Sequence, residues 1–176
     1  MNITLQQLQA IMPLAGTVKS SLYLAPLNRA MTEFEIDSPL RKAAFLAQVG
    51  HESGQLRYVQ ELASGKAYEL RKDLGNNAPG DGVRYKGRGL IQITGKANYI
   101  ALSLALDIDC IIRPEALEEP ENAARSAGWF WTKKAKLNPL ADIGDFLTIT
   151  KRINGGTNGL ADREQLYSKA KVVLGI

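Results

Sequence analysis

The segment from Ser38 to Gly54 constrains the fold more than any other part of this sequence. Ser38 followed by Pro39 is typical of a helix N-cap and the first helical position. Small and apolar residues then fall on adjoining faces, which favours a closely packed and mostly buried helix. Gly54 is typical of the left-handed position just beyond a helix end. The segment therefore predicts a central helix that ends near Glu52 or Ser53.

Helical patterns occupy most of the remaining chain. Thr4 and Gln7 resemble a capping box that opens a first helix, which closes near Pro13. A second, shorter helix is expected over residues 20–33, with an interruption at Pro26. The later part of the chain predicts a helix capped by Thr94, one starting at Pro120, one capped by Asp142 and ended by Gly155, and a last one from Leu160 to Leu174.

No stretch alternates polar and apolar residues beyond a few positions, so the predicted fold class is mainly α. Residues 55–84 differ from the rest because they are polar and rich in Gly, Asn and Lys. A loop of that length in a compact domain is usually functional. We expect one domain over residues 1–176, with core helices in 1–54 and 94–176 and a small turn-rich lobe over about 55–93.

Several classes of protein are disfavoured by simple counts. One histidine and one cysteine argue against a structural zinc site, and we expect neither a metal nor another cofactor. The single cysteine, Cys110, excludes an internal disulfide and fits folding in a reducing compartment. The first residues lack a signal-peptide pattern, and no apolar run is long enough to span a membrane. We expect a monomer.

The net charge of +4 is concentrated in one part of the chain. Residues 62–100 carry seven basic and three acidic residues, and the two flanking parts are balanced. The segment is either a solvated loop with surplus lysines or a surface that attracts an anionic polymer. Nucleic acid is disfavoured as that polymer, because aromatic residues are not interleaved with the basic ones as a base-stacking surface needs.

Glu52 is the first candidate for chemistry. A carboxyl group in the last helical turn faces the negative end of the helix dipole, and partial burial also disfavours its charged form. Both effects suit a general acid, although a glutamate at this position also commonly reaches solvent without a function. Glycoside hydrolysis needs a second carboxyl group. Glu61 is the nearest, and spacing alone leaves three others open, which are Glu69, Asp73 and Asp81.

The run from Tyr85 to Gly95 is the second candidate. Its glycine spacing fits neither a phosphate loop nor a dinucleotide fingerprint. As an extended segment it would bury its apolar residues on one edge and show Gln92 and Thr94 on the other, where they suit a sugar or a catalytic water. The alternative is an ordinary buried segment.

His51 invites three other interpretations. A His-Glu-x-x-His zinc motif is impossible because the chain has no second histidine. A hydrolase triad or a thiol pair with Cys110 has no supporting local signature. We expect a supporting place for His51 beside Glu52.

Four stretches together resemble glycoside hydrolase family 19, the chitinase-like group, and most closely its bacteriophage endolysin branch. They cover roughly residues 40–170 and are Phe45 to Gly54, Gly80 to Gly95, Asn98-Tyr99, and Ile153 to Gly156 with Asp162-Arg163 beyond. The resemblance implies a lysozyme-like fold in which a helical lobe and a small turn-rich lobe flank a substrate cleft.

The resemblance also implies a role for each matching residue. Glu52 matches the general acid, Glu61 the carboxylate that activates water in an inverting mechanism, and Thr94 a residue that helps to hold that water. The residues implied to contact or surround the sugar are His51, Tyr85, Arg88, Gln92, Tyr99, Asn154 and Arg163. Arg163 matches an arginine that pairs with acids near the base, and Asn158 stands where the family often has a glutamate.

The leading hypothesis is an endolysin that hydrolyses β-1,4 bonds of peptidoglycan, with its two carboxyl groups roughly 6.5–9.5 Å apart. The resemblance implies synthesis in the host cytoplasm and release to the wall, through a holin. A chitinase with the same mechanism and a catalytically silent glycan-binding module are the alternatives.

Overall fold

The computed structural model describes residues 2–176, and helices dominate that range. The α-helices are α1 (Leu5–Ile11), α2 (Gly16–Glu33), α3 (Pro39–Glu52), α4 (Asp81–Arg84), α5 (Lys96–Leu106), α6 (Pro120–Trp129), α7 (Asn138–Asp142), α8 (Phe146–Asn154) and α9 (Leu160–Leu174). Single 3₁₀ turns cover Pro13–Ala15, Lys66–Tyr68, Lys72–Leu74 and Pro114–Glu118, and a π turn over Phe130–Lys134 extends α6.

The predicted mainly α fold class is confirmed. Within residues 2–176 the sheet-type pairing consists of two isolated bridges, Gln60 with Arg88 and Arg88 with Ile93. No helix in that range has the length and apolar character that crossing a membrane requires.

The central helix, α3, forms as its sequence predicts. The Ser38 hydroxyl accepts a hydrogen bond from the Arg41 amide at 3.2 Å, and Gly54 adopts φ +56° just past the end. α3 packs against α9 and α7. The approach to α9 is close, since a Cβ added at Gly50 would lie 3.3 Å from Leu166 Cδ1. A small residue at position 50 is what allows this packing.

A second pair of helices, α2 and α6, closes the core on the other side. Their approach depends on Gly128, where an added Cβ would lie 2.3 Å from the Phe34 ring. Trp131, which is fully buried, meets Phe45 edge to face at 5.5 Å and donates to Asn138 Oδ1 at 2.8 Å. The buried indole thereby has both an apolar and a polar partner.

The interruption expected at Pro26 is wrong. α2 runs without a break from Gly16 to Glu33, and Pro26 lies inside it. A proline in a helix interior costs about 3 kcal/mol, because one hydrogen bond is lost and the ring crowds the preceding turn. Burial of this face against α1 and α6 offsets that cost.

Two expected caps are also wrong. Gly95, at φ +90°, precedes α5 without a side-chain cap, and the Thr94 hydroxyl instead donates to the Gln92 carbonyl at 2.9 Å. α8 is capped by Asp145, which accepts from the Thr148 amide at 3.0 Å. Asp142 pairs with Arg41 instead, at 2.7 Å.

Residues 55–93 form the turn-rich segment, in which side-chain hydrogen bonds join short helical turns and loops. Buried Asn76 donates to the Tyr68 carbonyl at 2.8 Å and accepts from the Lys96 amide at 2.9 Å. Asp81 accepts from the amides of Asn77 and Ala78, each at 2.9 Å. These bonds fix the segment against the start of α5. Its status as a separate small lobe stays a prediction.

Candidate active site

Glu52 lies in the last turn of α3, with a fifth of its side chain exposed. Its Oε1 accepts a hydrogen bond from Arg163 Nη2 at 2.5 Å, and the Arg163 side chain is only 3% exposed. A charge-assisted bond to a buried, planar guanidinium fixes the carboxyl group in one orientation. Glu52 is therefore a held group that still reaches solvent.

The other two nitrogens of the Arg163 guanidinium also donate hydrogen bonds. Nη1 donates to Gln48 Oε1, and Nε donates to the Asn158 carbonyl at 3.2 Å. Gln48 in turn donates to Thr150 at 2.8 Å. The implied pairing of Arg163 with acids beside the base is not what the structure has: Arg163 pairs with Glu52. Because Arg163 is enclosed in this way, it has no face for a sugar.

His51, the residue before Glu52, is held by a different residue of α9. Its Nδ1 lies 2.5 Å from Asp162 Oδ2, and its ring covers Gly159, where an added Cβ would lie 2.3 Å from Cε1. Asp162 and Arg163 are neighbours at the start of α9, so one helical turn positions both His51 and Glu52.

The chain leaves α3 through an unusual turn. Gly54, Gln55 and Leu56 all have positive φ, at +56°, +59° and +66°. Left-handed backbone costs roughly 1–2 kcal/mol for a residue with a side chain. The Ser53 hydroxyl, which accepts from the Leu56 amide at 2.8 Å, and full burial of Leu56 offset that cost. Backbone strain of this kind clusters at functional sites.

Glu61, the predicted partner, is half-buried and held at both carboxylate oxygens. Tyr68 donates to Oε1 at 2.9 Å, and the Gly87 amide donates to Oε2 at 3.1 Å. The Glu61 amide also donates to the Gly87 carbonyl at 2.9 Å. Burial, together with the hydrogen bond to Glu61, raises the pKa of Tyr68. Two donors leave this carboxylate oriented and still able to accept a further hydrogen bond.

The three other acids left open by spacing have structural partners. Glu69 accepts from the amides of Gly80 and Val83, and Asp73 pairs with Arg71. Asp81 pairs with Lys96 at 3.2 Å. Desolvation opposes ionisation of Asp81, but its hydrogen bonds from Ala78, Lys96 and Asn77 lower its pKa on balance.

The Gly87 to Gly95 run is not the extended segment that the sequence predicts. It folds back on itself, with the Ile93 amide donating to the Arg88 carbonyl at 2.8 Å and Gln92 at φ +56°. A Cβ added at Gly87 would lie 2.7 Å from Gln92 Oε1 and 3.2 Å from Glu61 Oε2. The fold-back therefore brings the Gln92 amide beside the Glu61 carboxylate, which alternation along a strand does not predict.

Glu61, Gln92 and Thr94 together form one surface at the turn-rich segment, which we call the wall. The Thr94 hydroxyl donates to the Gln92 carbonyl, so its oxygen lone pairs remain available to accept from a water. The implied water-holding role of Thr94 stays a prediction.

Tyr85, Arg88 and Tyr99 lie behind the wall, which corrects their implied contact with sugar. Their exposed fractions are 3%, 8% and 0%. Arg88 pairs with Glu118 at 2.8 Å and donates to the Tyr99 hydroxyl at 3.1 Å, and the two tyrosine rings meet edge to face at 5.2 Å. Burial raises the pKa of Tyr99. These three residues support the wall and do not line its open side.

Asn154 ends α8 half-buried, and its amide donates to the Asn158 carbonyl, the same carbonyl that Arg163 contacts. Its side-chain oxygen has no partner among residues 2–176. The thiol pair with His51, which no local signature supported, does not form, because Cys110 is fully buried and its thiol contacts the Tyr99 carbonyl at 3.4 Å. Burial raises the pKa of the Cys110 thiol to about 11.

The charge of residues 62–100 is largely used within the fold. Arg71, Lys96 and Arg88 pair with acids, and Arg84 and Lys86 donate to backbone carbonyls. The two exposed lysines that remain without a side-chain partner in the described residues are Lys66 and Lys72. The segment thus offers less open charge than its composition indicates.

The predicted site residues form two clusters, and the remaining three, Tyr85, Arg88 and Tyr99, lie behind the second cluster. Glu52, His51, Asn154 and Arg163 gather where α3, α8 and α9 meet, and Glu61, Gln92 and Thr94 gather on the turn-rich wall. Sequence reasoning missed Tyr68 and Gln48, each of which holds one of these clusters together. The available signals were the positions of these residues in the sequence. Tyr68 follows the candidate carboxylate Glu61 by seven residues, and Gln48 precedes the candidate carboxylate Glu52 by one helical turn. No cluster of metal-ligating side chains occurs between residues 2 and 176.

The fold is similar to that of solved chitinases. A bacterial family 19 chitinase superposes with a TM-score of 0.81 over 99% of this chain and 95% of that one, at 24% identity. At that identity the likeness speaks for the fold alone.

Sequence relatives carry the similarity further. A protein of Haemophilus influenzae described as a glycosyl hydrolase family 19 domain-containing protein is 34% identical over 160 residues, which is 73% of this chain and 77% of that protein. An endochitinase of Arabidopsis thaliana is 39% identical over 115 residues, or 65% of this chain, and the match spans 38% of the plant protein. No family model matches the chain. On the strength of these relatives and of the shared fold, the chain belongs to glycoside hydrolase family 19 and is a glycoside hydrolase.

Proposed function

We propose that this glycoside hydrolase cleaves the β-1,4 bonds between amino sugars of peptidoglycan by inversion, and that it acts as a phage-type endolysin. The observation that carries the proposed chemistry is the pair of held carboxylates. Glu52 is fixed by Arg163 in the helices, and Glu61 is fixed by Tyr68 and Gly87 in the turn-rich segment. Two oriented carboxyl groups are what glycoside hydrolysis needs.

In the proposed reaction Glu52 gives its proton to the glycosidic oxygen as the bond to the anomeric carbon breaks. Glu61 takes a proton from a water that attacks the opposite face of that carbon, and Thr94 helps to hold this water. The sugar gains a hydroxyl group of inverted configuration and the leaving sugar gains the proton, so the reaction balances. We expect the carboxyl groups to lie about 6.5–9.5 Å apart with a glycan bound.

Peptidoglycan is favoured as the substrate by charge. The chain carries a net charge of +4, and peptidoglycan is anionic, whereas chitin is uncharged. A phage endolysin of this kind would be made in the host cytoplasm and would reach the wall through a holin. Chitin is the second candidate, because several relatives are named endochitinases.

Digestion with analysis of the products tests the proposal. The purified protein is incubated with peptidoglycan sacculi and, separately, with a hexamer of N-acetylglucosamine. Mass spectrometry of the reducing ends identifies the bond that is cut, and NMR of the fresh anomeric proton reports inversion. Soluble fragments from sacculi at a rate well above that from the hexamer support the proposal. Cleavage of the hexamer alone would make the protein a chitinase.

Glu52→Gln separates an enzyme from a silent glycan-binding module. We expect at least about a 10³-fold loss of hydrolysis, since a general acid and its positioning contribute on that scale. Glu164→Gln, an exposed change on α9, is the matched control. Hydrolysis that survives Glu52→Gln intact would remove Glu52 from the acid role.

A further inference from the structure

A groove on the surface between the π turn and the end of α8 carries basic side chains that the proposed mechanism does not use. It is lined by Phe130, Lys134, Ala135, Lys136, Arg152 and Ile153, and its volume is about 530 Å³. Lys133 and Lys151, both exposed, flank these residues in the sequence. Five cations therefore belong to two short stretches of chain that meet at one groove.

These cations are not neutralised by the fold. None of the five forms an ion pair with a carboxylate within 4.0 Å among residues 2–176. Lys134 donates to Asn98 Oδ1 at 2.7 Å, and Arg152 donates to the Ala135 carbonyl at 3.1 Å. Asp145, the acid nearest to Lys151 along the chain, is occupied in capping α8. Its hydrogen bonds with Thr148, followed by the charges of Lys151 and Arg152, lower its pKa. In residues 62–100, by comparison, Arg71, Arg88 and Lys96 each pair with an acid.

Hydrogen bonds and chain neighbours link residues of the groove to residues of the candidate active site. Asn98, which holds Lys134, donates to the Thr94 carbonyl at 2.8 Å, on the wall beside Glu61. At the other end, Ile153 immediately precedes Asn154, which shares the Asn158 carbonyl with Arg163. Residues of the groove therefore have close neighbours in both clusters of the candidate active site.

We propose that this groove binds the carboxylate groups of peptide stems on a peptidoglycan strand whose sugars occupy the cleft. The inference rests on the proposed function, because chitin carries no such groups. Guanidinium and ammonium groups are suited to carboxylates, and cations crowded in one groove raise the local concentration of an anionic chain. The apolar lining from Phe130 and Ile153 suits the aliphatic parts of a peptide stem.

Binding to insoluble sacculi at 4 °C tests the inference apart from hydrolysis. The proteins compared by sedimentation are the parent, Lys134→Gln/Lys136→Gln, the same double variant with Arg152→Gln, and a control, Lys66→Gln/Lys72→Gln. The control removes the same number of charges as the first variant, from exposed lysines elsewhere. The double variant keeps the Arg152 bond to Ala135. It therefore still tests the groove if the triple variant fails to fold.

We expect the double variant to bind sacculi about tenfold more weakly and the triple variant more weakly still, with the control within twofold of the parent. Sacculi whose carboxyl groups have been amidated should bind the parent as weakly as untreated sacculi bind the triple variant. Hydrolysis of the neutral hexamer should stay within twofold in every variant.

Three outcomes would overturn the inference: unchanged binding by the groove variants, an equal loss in the control, or a groove-dependent affinity for a DNA duplex that matches the affinity for sacculi. Failure of the proposed function has a different signature. If the parent binds sacculi through the groove but releases no fragments, the groove stands and the proposed reaction fails.

Discussion

At the scale of single residues, the structure reassigns the partner of the general acid. The resemblance places Arg163 near the base, yet it donates to Glu52 and is fully enclosed by Gln48 and Asn158. The motif identifies the functional residues. The contacts among these residues depend on how α9 packs against α3. That packing is a property of the folded chain that residue spacing does not contain.

Arg163→Ala should destabilise the protein by about 3–5 kcal/mol, because it leaves the buried Gln48 oxygen and the Glu52 carboxylate without their donor. Urea unfolding of the variant against the parent measures the loss. Arg125→Ala, which removes a more exposed arginine from its pair with Glu33, is the control and should cost about 1 kcal/mol or less. Equal losses in the two variants would contradict the role given to Arg163.

Tyr68→Phe removes one hydroxyl group that fixes the Glu61 carboxylate. A hydrogen bond to a charged group contributes about 1.5–3 kcal/mol, so we expect kcat to fall about 10- to 100-fold with little change in KM. Tyr58→Phe is the matched control, since its half-exposed side chain is not bonded through the hydroxyl within residues 2–176. A Tyr68→Phe enzyme with the parent's kcat would show that Glu61 does not depend on this bond.

At the scale of elements, helix positions followed the sequence better than the turns did. α3 lies where its cap and its closing glycine predict, since those signals act within one helical turn, and α9 has the predicted bounds. The Gly87 to Gly95 fold-back was missed because its apolar residues alternate as they would in a strand. Its conformation is set by the bridge between Gln60 and Arg88 and by Glu61, which are distant in sequence.

The crossing of α2 and α6 should respond sharply to Gly128→Ala. An added methyl group would lie 2.3 Å from the Phe34 ring, and overpacking of this kind typically costs about 1–3 kcal/mol. Gly50→Ala, at 3.3 Å from a flexible leucine methyl group, should cost less, and Gly156→Ala, with open space around it, should be close to neutral. Thermal unfolding of the three variants tests the order, and a neutral Gly128→Ala would contradict it.

The turn-rich segment should lose stability in acid through Asp81. Its folded pKa is lower than its ordinary value of 3.8, so its contribution is present above that value and is lost as pH falls toward the folded pKa. Asp81→Asn should therefore be less stable than the parent at pH 6, with the difference shrinking as pH falls below about 4. Urea unfolding across this range measures both, and a constant difference would contradict the assignment.

At the scale of the whole molecule, the predicted fold class is correct and the expected distribution of open charge is not. Counting residues places the excess in 62–100, where Arg71, Arg88 and Lys96 nevertheless meet acids. The balanced part of the sequence instead supplies the unpaired cations around Lys134 and Arg152. Composition fixes net charge, but only folding decides which charges meet a partner.

Ionic strength should therefore act on substrate capture. Salt shortens the Debye length from about 10 Å at 0.1 M to about 3 Å at 1 M, so KM for sacculi should rise across that range. The neutral hexamer should show little change in KM, which makes it the internal control. A parallel loss on both substrates would indicate a general effect of salt on the fold.

The way in which the two carboxylates are held has a consequence for motion. The bonds described for Glu61 come from Tyr68 and Gly87 inside the turn-rich segment, and the bond described for Glu52 comes from Arg163 in the helices. The left-handed residues Gly54 to Leu56 lie between them on the chain. The two carboxylates are thus oriented independently of each other. A change in the conformation of this turn would therefore alter the distance between acid and base, and with it the gap for the attacking water, while each carboxylate keeps its own hydrogen bonds.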